Sequence, residues 1–113
     1  MTRRVILKVY GQIRPVSDDF YAALDNICAG AIADSPDEPV LQREGEMARI
    51  SFEGVYFPVE EILKTLGLHL GPEHKGGLDV LDIEGWRLTR HVVDGGLRTN
   101  SAGLNSVLDY AGL

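Results

Sequence analysis

Apolar residues along this chain recur at two spacings, every second residue and every third or fourth, and the switches between them mark out its elements. Residues 4–10, "RVILKVY", are β-branched and almost continuously apolar, which predicts an interior strand closed by Gly11. Phe20, Leu24, Ile27, Cys28 and Ala31 then fall on one face of a helix. Ser17 is placed to cap that helix, Asp18 and Asp19 suit its positive end, and Val16 can staple onto Tyr21. The segment "DSPDEP" breaks the pattern as a solvated loop. A second helix is read over "PVEEILKTLG", with Pro58 in its first turn, Val59, Ile62, Leu63 and Leu66 on its apolar face, and Gly67 as terminator. A last helix is read from Ser101 to Ala111, burying Leu104, Val107 and Leu108.

The dipeptide Glu-Gly recurs three times between alternating segments, where glycine suits the positive φ of a two-residue hairpin turn. Turns at Glu44-Gly45 and Glu53-Gly54 pair Leu41 with Ala48 and Ile50 with Phe57. They place Leu41, Ala48, Ile50, Phe52, Val55 and Phe57 on one face of a three-stranded meander. A turn at Glu84-Gly85 sets Leu81 opposite Leu88, Asp82 opposite Arg87, Asp79 opposite Arg90 and Leu78 opposite His91. The same turn sets Ile83 opposite Trp86, so two opposite-charge pairs and two apolar pairs agree on that register. The element order is β-α-β-β-β-α-β-β-α. This predicts one α+β domain over residues 1–113, a mostly antiparallel sheet with helices packed on one face.

Composition adds limits. The 113 residues are 44% apolar and 25% charged, enough for one core without disulfide or metal staples. Cys28 is the sole cysteine, which excludes an internal disulfide and points to a reducing, cytoplasmic location. No apolar run is long enough to span a bilayer. The net charge of −6 comes with no basic stripe, so general nucleic-acid binding is disfavoured.

Candidate chemistry is sparse. The loop "DGGLRTNSAGLNS" lacks both the P-loop spacing and the dinucleotide fingerprint. It reads as a turn at Gly95-Gly96 followed by a helix cap at Ser101, Thr99 or Asn100. A helix N-terminus there, with Arg98, Asn100, Ser101 and nearby His91, would make an anion site for a phosphate or carboxylate. His69, His74 and Glu73 share one connection but match no zinc-ligand spacing, and no cofactor is implied. Glu60 and Glu61 are explained by the dipole of a first helical turn. No nucleophile elbow or triad signature is present, so the reading leans away from an enzyme.

The meander register leaves Val40, Met47 and Tyr56 on the face opposite the core, an apolar patch framed by Gln42, Arg49 and Glu53. The leading expectation is therefore a small non-catalytic protein acting through a protein interface, as a homodimer or as an accessory or regulatory subunit. The alternative is a small-anion-binding or small catalytic domain built on His91, Arg98, Asn100 and Ser101.

Overall fold

The computed structural model describes residues 5–35 and 37–104. Its elements are β1 (Leu7–Arg14), α1 (Asp18–Cys28), β2 (Ile32–Ala33), β3 (Leu41–Glu44), β4 (Met47–Tyr56), α2 (Val59–His69), β5 (Lys75–Asp82), β6 (Arg87–Asp94) and β7 (Leu97–Gly103). All strand pairs are antiparallel, in the order β2-β4-β1-β5-β6-β7, with β3 also on β4. Helices lie on one side, so the α+β class is as the pattern predicts. The element order differs at its end, where β7 occupies the expected helix start, and in the middle, where the second and third meander strands are the single strand β4 and the short β2 at Ile32–Ala33 was not expected.

The core forms where the inward positions of the sheet meet the apolar faces of both helices. Val9 and Ile13 of β1, Ala48, Ile50 and Phe52 of β4, Leu78 of β5 and Val93 of β6 are buried with Phe20, Leu24, Ile62 and Leu66. Each large side chain so buried contributes about 1.5–3 kcal/mol relative to exposure. Ser17 caps α1, its Oγ accepting the Phe20 N–H at 3.1 Å. Arg43 ties β3 to that helix, donating to Asp18 Oδ1 at 2.7 Å and lying over the Tyr21 ring.

Several expected boundaries move. β1 runs through Gly11, because β1 and β5 cross so closely that a Cβ there would strike the Gly77 carbonyl and Leu78. Gly76, across the same crossing, takes φ +145°, and a Cβ there would strike the Gln12 carbonyl. The first hairpin turns at Gly45-Glu46 rather than Glu44-Gly45: Glu44 faces Met47 and Gly45 carries φ 60°. That two-residue shift leaves the inward face unchanged. Helix α2 passes through Gly67, whose open surroundings impose no stop, and ends at His69.

Glu53-Gly54 is not a turn. β4 continues through it as a ten-residue strand, and Gly54 is where β2 crosses too closely for a side chain. Ala33 faces Gly54 while Ile32 faces Tyr56, so Val55 is the extra residue of a bulge. The bulge resets the alternation: Val55 is half-buried, Tyr56 exposed and Phe57 buried. The inward set expected from a hairpin is thus reached by a different backbone route.

The Asp82–Arg87, Leu81–Leu88, Asp79–Arg90 and Leu78–His91 pairs occur as the charges and apolar residues predict. The expected Ile83–Trp86 strand pair does not form: the ladder ends at Asp82–Arg87 and residues 83–86 are a four-residue loop, with Asp82 Oδ1 accepting the Gly85 N–H at 2.8 Å and Trp86 at φ 55°. The chain turns again at Gly95, with φ 72°, and returns as β7 against the whole of β6. The expected cap residues Thr99, Asn100 and Ser101 are therefore strand residues. The rest of the expected last helix, residues 105–113, lies outside the described residues.

Candidate functional site

Alternation along each strand decides which side chains meet. Both helices lie on the inward side, and no described element covers the other. The register aligns that open face in cross-strand rows. One row runs Arg49, Gln12, Gly77, Val92, Arg98 from β4 to β7, and the next runs Ser51, Tyr10, Asp79, Arg90, Asn100. Gly77 contributes no side chain at the centre of the first row. A depression of about 610 Å³ opens over it, lined by Tyr10, Gln12, Arg49, Ser51, Asp79, Arg90 and Val92 among others.

The open face differs electrostatically from the rest of the protein. By register it carries six bases (Lys8, Arg14, Arg49, Lys75, Arg90, Arg98) and four acids (Glu44, Glu53, Asp79, Asp94). The remaining described residues carry three bases and twelve acids. A protein of net charge −6 thus presents one face with an excess of two positive charges.

Each of the four acids on this face is held by a base. Arg90 grips Asp79 with two hydrogen bonds, at 2.9 and 3.0 Å, which raises the guanidinium pKa. Arg49 pairs with Glu44 at 3.1 Å, and Lys75 pairs with Asp94, holding that carboxyl below its usual range. The Tyr10 hydroxyl donates to Glu53 Oε1 at 2.6 Å, and Lys8 approaches the same oxygen at 3.2 Å. Burial and then that hydrogen bond push the Tyr10 phenol up to about 12, while the Tyr10 and Lys8 contacts lower the Glu53 pKa. Exposed pairs of this kind contribute at most about 1 kcal/mol each; their effect is to hold long side chains in place. Among the described residues, Arg14 and Arg98 make no ion pair and supply the excess charge.

The four residues of the expected anion site do not converge. Arg98 and Asn100 point to the open face, whereas His91, Thr99 and Ser101 point to the other. His91 is 4% exposed, its Nδ1 within 2.8 Å of Thr99 Oγ1, and Ser101 Oγ accepts from Arg87 Nε at 3.0 Å. A helix N-terminus would gather these residues, whereas the strand's period of two separates them.

The expected apolar patch is also dispersed. Met47 lies on the open face at one end of β4, and Tyr56 lies beyond the bulge at the other, about 30 Å along the strand. Val40 precedes β3 and packs against the core. The residues missed were Tyr10, Gln12 and Arg14, with Gly77 beside them. Lys8, Tyr10, Gln12 and Arg14 stand two apart in sequence, a period hidden by ending the strand at Gly11.

Other candidate groups have structural roles. His69 stacks on Phe20 at 4.7 Å and His74 meets the same ring edge-on at 5.6 Å, with its Nδ1 accepting the Gly71 N–H. Among the described residues, no cluster of three or more His, Cys, Asp or Glu could hold a metal ion. The buried Cys28 thiol is pushed up to about 12, first by burial and then by Asp25, so it is protonated at neutral pH. No helix among the described residues is long and apolar enough to cross a membrane. No protein-family model, curated protein or solved structure matches the chain.

Proposed function

We propose that this is a cytosolic, non-catalytic protein that acts by binding another protein through the helix-free face of its sheet. The observation that carries this reading is the depression over Gly77, walled by Tyr10, Gln12, Arg49, Arg90 and Val92 on a face that no described element covers. An uncovered sheet face that combines aromatic, aliphatic and arginine side chains has the composition of an interface centre. The ordered ion pairs around the depression reduce the side-chain entropy lost on docking. Met47, at the end of β4, extends the same face, and the lone Cys28 supports the cytosolic assignment. An accessory subunit is favoured over a homodimer, because two copies meeting through this face would oppose its excess positive charges.

The test is selection of a random peptide library against the immobilised protein, followed by anisotropy titration on wild type and Val92→Lys. Recovered peptides are expected to weaken on Val92→Lys by about tenfold, the effect of about 1.4 kcal/mol. A dimer mass in light scattering that Val92→Lys abolishes would support the interface with a second copy as the partner. Peptides that bind equally to both proteins, or a selection yielding no saturable ligand, would overturn the proposal.

A further inference from the structure

We infer that the segment bound on this face is an extended acidic one, with the pattern acid-x-apolar-x-acid, lying across the strands. The inference rests on the interface reading and names the chemistry of its partner. Each of the four acids on the face forms an ion pair with another base, whereas Arg14 on β1, which shares a cleft with Glu44, Glu46 and Glu73, and Arg98 on β7, whose charge also acts on Asp94, form none. Three strand spacings across and one pleat repeat along separate their backbones by about 16 Å. In an extended peptide, residues i and i+4 point the same way about 13 Å apart, within reach of two flexible arginines. Residue i+2 then also points at the sheet, midway between them. β5 and β6 lie at that midpoint, where Gly77 and Val92 stand side by side on one flank and the Lys75–Asp94 ion pair on the other. The gap left by Gly77 receives the central side chain, with Tyr10 and Val92 as its apolar walls.

Charge decides between a peptide and a nucleic acid. A phosphodiester strand carries a negative charge at every step and would meet Glu44, Glu53, Asp79 and Asp94 as well as the arginines. Two carboxylates match two unpaired guanidinium groups and leave the existing ion pairs intact.

The experiment is fluorescence anisotropy with the synthetic peptide Gly-Ser-Glu-Ser-Phe-Ser-Glu-Ser-Gly, its two Glu→Lys analogue and its Phe→Ala analogue. The acidic peptide is expected to bind saturably. The lysine analogue and the alanine analogue are each expected to lose about tenfold or more. Arg14→Glu/Arg98→Glu is expected to reverse the charge preference, binding the lysine analogue better than the parent; both sites are exposed, and a thermal melt checks folding. That exchange distinguishes contact with these residues from a general effect of net charge. Absence of saturation at millimolar acidic peptide, or displacement of the peptide by oligo-dT at equal concentration, would overturn the inference. Selected library peptides that depend on Val92 but carry no acids would also overturn it, while leaving the interface reading standing.

Discussion

Replacing Gly54 distinguishes a turn glycine from one required by a close strand crossing. An alanine Cβ there would lie 2.8 Å from both Ala33 Cα and Phe52 Cζ, and against the Ile32 carbonyl oxygen. Favourable carbon–carbon contact needs about 3.5–4.0 Å, so β2 must retreat by about 1 Å or Phe52 must move. Phe52 is 2% exposed and fixed among core side chains, so the displacement falls on β2. Overpacking of this kind costs about 1–3 kcal/mol, and loss of β2 pairing places Gly54→Ala near the top of that range. Gly54→Asn is the sharper probe. Asparagine tolerates a left-handed turn position, so a hairpin at Glu53-Gly54 would accept it at little cost. The crossing predicts that asparagine destabilises at least as much as alanine. Urea denaturation gives the energies. Hydrogen exchange at Asp34, whose N–H donates to the Glu53 carbonyl at 2.8 Å, reports whether β2 has left. A Gly54→Asn protein within about 0.5 kcal/mol of wild type, with Asp34 still protected, would refute the crossing.

Two further changes probe the rest of the fold. Burial lowers the His91 pKa despite the opposing charge of Asp79, so the unfolded chain takes up this proton more readily than the native protein. The His91 contribution is fully present above the unfolded pKa of about 6.5 and is lost as pH falls through that value toward the lower folded one. Denaturation at several pH values should show a stability decline below neutrality that is shallower in His91→Gln; equal slopes would count against the buried imidazole. Gly67→Ala, inside α2 with nothing within 4 Å of the new Cβ, should stabilise by about 0.5–1 kcal/mol in the same assay.

The fold was legible where burial imposes a period. Ser17, the faces of α1 and α2 and the β5–β6 register all follow from residues whose neighbours are in the core or paired in charge. β7 was not legible for the same reason. "LRTNSAG" is an edge strand whose first five residues are exposed, so neither face selects apolar residues and no period of two is written into it. Its polar small residues resemble a helix cap, and that resemblance produced an anion site whose members the strand divides. The crossings at Gly11, Gly54 and Gly76 escaped detection because each depends on a strand distant in sequence. A local reading assigns such glycines to turns or strand ends. Sheet order is equally non-local: placing β1 between β4 and β5 brings Arg14, Gln12 and Tyr10 alongside Arg49 and Gly77.

That central place of β1 also determines how the charges act. Among the described residues, those off the open face carry twelve acids against three bases, while the open face carries the opposite excess. An acidic segment meets an excess of acids around the other described residues and an excess of bases on the open face, where Arg14 and Arg98 make no ion pair. The field therefore orients a partner more than it tightens the complex, because exposed charges bind weakly and are screened within about 8–10 Å. Affinity must come from the side chain desolvated over Gly77. Charge reversal at Arg14 and Arg98 therefore exchanges the charge preference, and filling the depression weakens every ligand alike.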